Sequence, residues 1–277
     1  NANDAEAGSL RAAIAEAATY GDFPGAWVQF DEAVAGETIT LSSGELVISS
    51  DLLIDASALS AGITVSGGGV SRVFSVAAAT TVTLDTLTIT GGFTSGDGAG
   101  ILNAGDLTVR HSTIKGNASN RYGGGFENTG TLTLINSTVA GNTAASSGGG
   151  GIDNFGGTLN VISSTVAGNS SGSGGGIWSN NTVTLTDSIV AGNTASSGSD
   201  LYKSSGVVTT NGTNLLSDLS GSTLIASSTV LVGDALLAPL ALAPATPAPP
   251  RSPDAQPQFL SIVAPLILTA ARPAAEA

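Results

Sequence analysis

Residues 132–142 read LTLINSTVAGN, and close copies of this block occupy residues 107–117, 159–169 and 183–193. A looser copy covers residues 82–92. The copies start at positions 82, 107, 132, 159 and 183, which places them 25, 25, 27 and 24 residues apart. A near-constant period, with its insertions confined to Gly- and Ser-rich stretches, is typical of a solenoid in which each repeat packs on its neighbours.

Apolar and polar residues alternate inside each repeat, which predicts strands rather than helices. Three short strands fit one period, and in one copy they are Ile152–Asn154, Leu159–Val161 and Ser164–Val166. Parallel crossover connections are almost always right-handed. The sequence therefore predicts an all-β fold, a right-handed three-sided parallel β-helix of roughly eight coils with an N-terminal capping helix.

Stacking the repeats places equivalent residues in vertical rows about 4.8 Å apart. Three inward rows form the core: Ile101, Phe126, Ile152 and Ile177; Leu107, Leu132, Leu159 and Val183; Ile114, Val139, Val166 and Val190. A corner row predicts an amide ladder, because each stacked side chain can bond the next one: Asn117, Asn142, Asn169 and Asn193. A hydroxyl row lies beside it: Ser112, Ser137, Ser164 and Ser188.

Residues 1–26 are organised differently and predict a cap. Ser9 is suited to the N-cap of a helix from about Leu10 to Ala18, with four apolar residues at helical spacing on one face. A solenoid exposes a hydrophobic end unless something covers it. We expect this helix to cover the first coil, and residues 27–237 to form the β-helix.

The C-terminal part changes in composition. Residues 238–258 are rich in Ala and Pro, which predicts a linker with polyproline II character. An apolar run at 259–268 begins the final segment, residues 259–277, and is too short and too Pro-broken to span a bilayer. We expect it to fold back over the last coil as a strand, or to add to the open sheet edge of a second copy of the chain.

Composition narrows the function. The 277 residues include 38 Gly, no Cys and no Met, so neither a disulfide nor a thiol metal site is expected. A formal charge of -13 with 8 basic residues disfavours nucleic acid as a partner. The acidic surface, rich in Ser, Thr and Asn, predicts an extracellular or bacterial cell-surface protein. The lack of an initiator Met is consistent with a processed chain.

Three stretches resemble known families of β-helix proteins. Residues 8–14, GSLRAAI, resemble the opening of secreted bacterial β-helix proteins with a CSLREA-type N-terminal module. Residues 149–154 (GGGIDN) and 174–179 (GGGIWS), each followed by the repeat block, are similar to the repeats of polymorphic outer-membrane adhesins. The resemblance implies the β-helix fold, but the same scaffold carries adhesins, lyases and hydrolases, so it implies no single activity.

One outward row of the first face carries the most suggestive chemistry: Leu102, Glu127, Asp153, Trp178 and Tyr202. Glu127 and Asp153 would be neighbours one coil apart, and two carboxyls about 5 to 5.5 Å apart match a retaining glycosidase. The aromatic rings would offer platforms for sugar stacking. The same pair could instead hold Ca²⁺, although no cofactor is expected. The alternative is that these residues are merely the polar, solvent-facing side of a strand.

A second group gathers several of the few basic and phenolic residues of the chain near one coil: Arg110, His111, Lys115, Arg121 and Tyr122. A polysaccharide lyase on this fold needs a Lys or Arg base and a cation to neutralise a uronate. Arg110 and Lys115 are predicted on different faces, and no diagnostic lyase motif is visible.

Threonines form flat outward rows as well: Thr83, Thr108, Thr133, Asn160 and Thr184 on one face, and Thr88, Thr113, Thr138 and Thr165 on another. Such rows can order ice-like water, and β-propensity alone also selects them. We therefore expect a structural or adhesive surface β-helix that contacts polysaccharide or cell-surface glycans, or itself end to end or through residues 259–268. A polysaccharide-degrading enzyme is the alternative, and an ice-binding protein is the third hypothesis.

Overall fold

The computed structural model of the protein describes residues 2–20 and 26–218 and four short strands beyond them: Ile225–Ala226, Thr229–Val232, Leu260–Ser261 and Thr269–Ala270. The described chain is an all-β parallel solenoid of about eight turns, which confirms the predicted fold class. Three long sheets form its three faces, and each regular turn contributes one strand to each sheet.

The strands of the first face are Leu46–Ile48, Phe74–Val76, Ile101–Asn103, Phe126–Asn128, Ile152–Asn154, Ile177–Ser179 and Leu201–Lys203. Those of the second face are Trp27–Gln29, Leu52–Asp55, Thr81–Asp85, Asp106–Arg110, Thr131–Ile135, Thr158–Ile162, Thr182–Thr186, Val208–Asn211 and Ile225–Ala226. Those of the third face are Thr38–Thr40, Ile63–Ser66, Leu87–Thr90, Thr113–Lys115, Thr138–Ala140, Thr165–Ala167, Ile189–Ala191, Thr213–Leu216 and Thr229–Val232.

A short fourth sheet, which was not predicted from the sequence, lies in the connections that lead from the third face of one turn to the first face of the next turn. Its strands are Phe93–Thr94, Ala118–Ser119 and Thr143–Ala144. Isolated bridges through Ser170 and Thr194 continue it. These strands lie in the Gly- and Ser-rich connections, which are therefore ordered backbone stacked in register rather than open loops.

The core rows are in register as predicted. Leu132 pairs with Leu159, and Val139 pairs with Val166, each across adjacent parallel strands. All four side chains are fully buried. The period of the sequence therefore corresponds to one turn of the solenoid.

The N-terminal helix spans Leu10–Ala17, and a turn of 3₁₀-helix follows at Ala18–Tyr20. Ser9 caps it by accepting a hydrogen bond from the Ala12 amide, as predicted. Four apolar residues of the helix, Leu10, Ala13, Ile14 and Ala17, are buried in the hydrophobic core, which is where a cap belongs.

Arg11 ties this helix to the first turns. Its guanidinium pairs with Asp4 at 2.8 Å and donates to the carbonyl oxygens of Gly44 and Glu45. Asp4 in turn accepts from the backbone amides of Ser42 and Ser43. These hydrogen bonds and the Arg11 charge outweigh the effect of burial and lower the pKa of Asp4. In the GSLR segment, Ser9 thus caps the helix, Leu10 packs in the core and Arg11 links the helix to the first turns.

The predicted Asn ladder is present. The side-chain amide of Asn117 donates to Asn142 Oδ1 at 2.9 Å, and the same bond joins Asn142 to Asn169 and Asn169 to Asn193. Asn193 donates to Asp200 Oδ1 at 2.9 Å. Asp200 also accepts hydrogen bonds from the backbone amides of Ser217 and Asp218. All of these neighbours are donors, so a carboxylate, which offers only acceptors, is suited to the end of the ladder.

A second amide ladder was missed in the sequence. Asn103 donates to Asn128, Asn128 to Asn154, and Asn154 to the hydroxyl of Ser179. All four side chains are fully buried at the corner between the first and second faces. This row could have been predicted from the sequence. Each of its residues stands two positions after an inward apolar residue, and side chains two positions apart in a strand point to the same side, here the core.

The C-terminal segment departs from the prediction. Leu260–Ser261 pairs in parallel with Val28 and Gln29 of the first turn, and not with the last coil. Thr269–Ala270 pairs with it antiparallel. The outer edge of Trp27–Gln29 is an open row of backbone donors and acceptors, which an extra strand satisfies. The linker 238–258 lies outside the described residues, and pairing with a second molecule stays a prediction.

Candidate functional site

The outward row of the first face is assembled as the sequence predicted. Leu102 pairs with Glu127, Glu127 with Asp153, Asp153 with Trp178, and Trp178 with Tyr202, each in parallel register. Adjacent strands lie about 4.8 Å apart, so the two carboxyl groups are immediate neighbours. The two aromatic rings continue the same line.

The expectation that this row faces water is wrong for the two acids. Glu127 is 6% exposed and Asp153 is 3% exposed. The Gly-rich connections pass over them. A Cβ on Gly98 would lie 2.9 Å from the Glu127 Cβ, and one on Gly148 would lie 2.2 Å from Asp153 Oδ2. Glycine is required at both positions because the backbone runs directly against the acidic side chains.

Each acid also retains a buried oxygen without a hydrogen bond. These atoms are Oε2 of Glu127 and Oδ1 of Asp153. Burial of an ionised carboxylate without a partner is strongly unfavourable, so such a group takes up a proton. An acid pair in this environment cannot carry two negative charges near neutral pH.

The electrostatics agree with the geometry. Burial, together with the smaller effects of the negative charges of Asp153 and Asp97, raises the pKa of Glu127 to about 9. Burial raises the pKa of Asp153 to about 7, against a hydrogen bond from the Gly149 amide, which lowers it. Arg121 and Arg72 oppose the shift of Glu127, but they are engaged in ion pairs of their own.

This arrangement differs from an open glycosidase site. A retaining enzyme needs an ionised nucleophile and a protonated acid that both reach the substrate. Here the covering backbone separates both carboxyls from solvent. A cavity of about 290 Å³ is lined by Glu45, Arg72 and Phe93 among others, and no member of the row lines it. Catalysis by Glu127 and Asp153 therefore stays a prediction that requires the cover to open.

The aromatic members of the row are accessible, and a third ring joins them. Phe155 is 56% exposed and stacks on Trp178, with the ring centroids 6.3 Å apart and the planes 18° from parallel. Tyr202 follows Trp178 on the next strand. We call Phe155, Trp178 and Tyr202 the aromatic strip. Phe155 was not among the site residues predicted from the sequence. The available signal was an aromatic residue at a corner where the equivalent residues of neighbouring turns are the polar Thr129 and Asn180.

The predicted basic cluster is divided among different faces and different partners. Arg110 and His111 both contact the buried carboxylate of Asp85, at 2.7 Å and 3.0 Å. His111 occupies a corner with a positive φ of 51°, so its backbone turns the chain there. Lys115 lies on the third face, in register with Thr90 and Ala140. These groups do not converge on one outward site.

Arg121 and Tyr122 form a second small group near the acid pair. Arg121 pairs with Asp97 at 3.2 Å, and its guanidinium lies 5.2 Å from the centre of the Tyr122 ring. Asp97 also accepts from the Tyr122 amide. The nearest cation to the acid pair is thus held by another carboxylate.

Metal and membrane features are limited. Among residues 2–20 and 26–218, no three acidic or histidine side chains converge into a group that could hold a metal ion. In the same part of the chain, no α-helix has the length and hydrophobicity of a membrane span. Comparisons with protein-family models, curated proteins and solved structures find no match to this chain.

Proposed function

We propose that this chain is a structural or adhesive β-helix of the extracellular space or the bacterial cell surface, and that it contacts glycans through the aromatic strip. The observation that carries the proposal is the nearly parallel stack of the exposed Phe155 on the partly exposed Trp178, with the partly exposed Tyr202 on the next strand. Aromatic faces aligned on a rigid sheet present apolar area to the C–H faces of sugar rings at little entropic cost.

Two further observations support this proposal. Only 4% of the residues are aromatic, yet two of them are neighbours on the first face and a third stacks on one of these, Trp178, from the adjoining corner. The net charge of -13 favours neutral over uronate-rich glycans, because like charges repel. The resemblance to CSLREA-type and outer-membrane adhesin repeats is consistent with a surface role and supports the same proposal.

A glycan array with the full chain and two variants tests the proposal. We expect binding to neutral polysaccharides that weakens about tenfold in Trp178→Ala and in Phe155→Ala. Phe93→Ala is the matched control, since Phe93 is also a partly exposed ring but lies in the short fourth sheet. Equal binding by the parent and Trp178→Ala, or no binding by the parent, contradicts the proposal.

A second candidate function is ice binding, and one observation favours it. The threonine row of the third face is longer than the sequence suggested, with six residues in unbroken register: Thr38, Thr64, Thr88, Thr113, Thr138 and Thr165. Ile189 ends the row. Thermal hysteresis that is lost in Thr113→Lys is the expected result of this candidate, and a parent protein without hysteresis excludes it.

A further inference from the structure

We infer that Glu127 and Asp153 share one proton, and that this proton keeps the Gly-rich segment 146–149 closed over the first face. The inference does not depend on the glycan-binding proposal. It begins from geometry: two buried carboxyl side chains lie in register on adjacent strands, and each has a buried oxygen with no hydrogen-bond partner. A proton on one of them supplies the missing donor for the other.

Among the described residues, the charged groups around the pair are engaged elsewhere and donate no hydrogen bond to these two oxygens. The charged neighbours of Glu127 are Asp153, Asp97, Arg121 and Arg72. Arg121 pairs with Asp97, and Arg72 pairs with Glu45 and donates to the backbone of the turn beside it. The Gly149 amide donates a hydrogen bond to the Asp153 carboxyl group, but Oδ1 of Asp153 still has no hydrogen-bond partner.

The segment 146–149 is the part of the cover most directly coupled to the pair. A Cβ at Gly148 would lie 2.2 Å from Asp153 Oδ2 and 2.5 Å from the Tyr122 Cδ1 atom, so the backbone passes directly against both the carboxyl group and the phenol ring. Loss of the shared proton leaves two buried negative charges. Water must then reach them, and the segment has to move away for this to happen.

The direction of the pH effect follows from linkage. Both folded-state pKa values lie above the ordinary ones of 4.5 and 3.8, so the folded protein binds more protons than the unfolded chain between those values and about 9. The free energy of unfolding therefore falls as pH rises through this window. The contribution of the pair is fully present below about pH 4 and is lost above about pH 9.

Denaturant unfolding of the full chain between pH 5 and pH 9 tests the inference with three variants. Glu127→Gln and Asp153→Asn each replace an acid by an amide that keeps the shape and supplies a permanent donor. We expect the midpoint of the parent to fall toward pH 9, and the midpoints of both variants to fall less and to exceed that of the parent at pH 9, because each variant retains one buried acid but gains a permanent donor beside it. Asp106→Asn is the control, because Asp106 is exposed on the second face and should leave the parent slope unchanged.

Hydrogen exchange gives the second measurement. In the parent, the amides of Gly148 and Gly149 should lose protection between pH 6 and pH 9, relative to the intrinsic exchange rate, while those of Asn142 and Asn169 keep theirs. In Glu127→Gln the loss of protection should be smaller. All variants retain the contact of His111 with Asp85, so its contribution is common to every protein compared.

Two results overturn the inference. One is an identical pH slope in the parent and in both amide variants. The other is stabilisation of the parent by Ca²⁺ at pH 7 that disappears in Glu127→Gln, which would show that the pair takes a cation in place of the proton.

Discussion

The Asn ladder and the Glu127–Asp153 pair are both rows of buried polar side chains in the same solenoid, but only the ladder is completed by its own atoms. Each amide carries a donor and an acceptor, so Asn117, Asn142 and Asn169 each bond the next turn at 2.9 to 3.0 Å. A carboxylate offers acceptors alone. Stacking like on like therefore satisfies an amide row and leaves an acid row short of a hydrogen.

The end of the ladder illustrates the same rule. Asp200 is buried like the acid pair, yet it stands where donors converge from Asn193, Ser217 and Asp218. No partner of this kind meets Oε2 of Glu127 or Oδ1 of Asp153. Burial by itself is thus compatible with a carboxylate, and the supply of donors decides whether a proton must be added.

The largest expected effect comes from placing a carboxylate in the Asn ladder, where it would lack hydrogen-bond donors as the acid pair does. Asn142→Asp keeps the shape but removes the donors to Ile114 O and Asn169 Oδ1, so acceptors then face each other. We expect the free energy of unfolding to fall by about 3 to 5 kcal/mol at pH 7, measured by denaturant titration.

The control for this change is Asn120→Asp, because Asn120 is exposed in the adjoining turn. It should alter stability by less than about 0.5 kcal/mol. A ladder variant as stable as this control would show that the stacked amides contribute little.

A change in the cover should have an intermediate effect. Gly148→Ala inserts a Cβ against Asp153 Oδ2 and the Tyr122 ring, and we expect a loss of about 1 to 3 kcal/mol in unfolding free energy. Gly96→Ala is the control, since its Cβ would meet only Thr94 Oγ1 at 3.6 Å. Equal stability of the two variants would mean that the covering backbone does not press on the acid pair.

The smallest expected effect is in the hydroxyl row. Ser164 accepts from the Ser137 amide at 3.0 Å and donates to the Ile162 carbonyl. Ser164→Ala leaves that amide without a partner, and we expect a loss of about 1 to 2 kcal/mol by the same titration. We expect the Asn row to contribute more to stability than the Ser row, because each Asn side chain makes more hydrogen bonds. A loss in Ser164→Ala as large as that in Asn142→Asp would contradict this expectation.

Much of the fold was predictable because the period fixes the register. Leu132 lies beside Leu159, and the strand Ile152–Asn154 was placed with its observed bounds. The Ser9 cap followed from local chemistry. The adjacency of Glu127 and Asp153 also followed, because alternation within a strand and stacking between strands determine both coordinates of a residue on a face.

What lies over that face was not predictable. Gly98 and Gly148 belong to connections without hydrophobic periodicity, so nothing in their sequence indicates the path of the backbone. The burial of the acids and the short fourth sheet result from that path. The contact of Asp85 with Arg110 and His111 was missed although it was predictable, because Asp85 stands one repeat period before Arg110 and the two residues pair in register.

The most direct test of the account is a ¹³C NMR titration of the side-chain carboxyl groups in the folded protein. The account predicts one carboxyl resonance, assigned to Glu127 by its absence in Glu127→Gln, that titrates well above pH 7, in line with the raised pKa of about 9 that burial gives this group. A Glu127 resonance already fully ionised at pH 6 would contradict the claim that a proton completes the acid row.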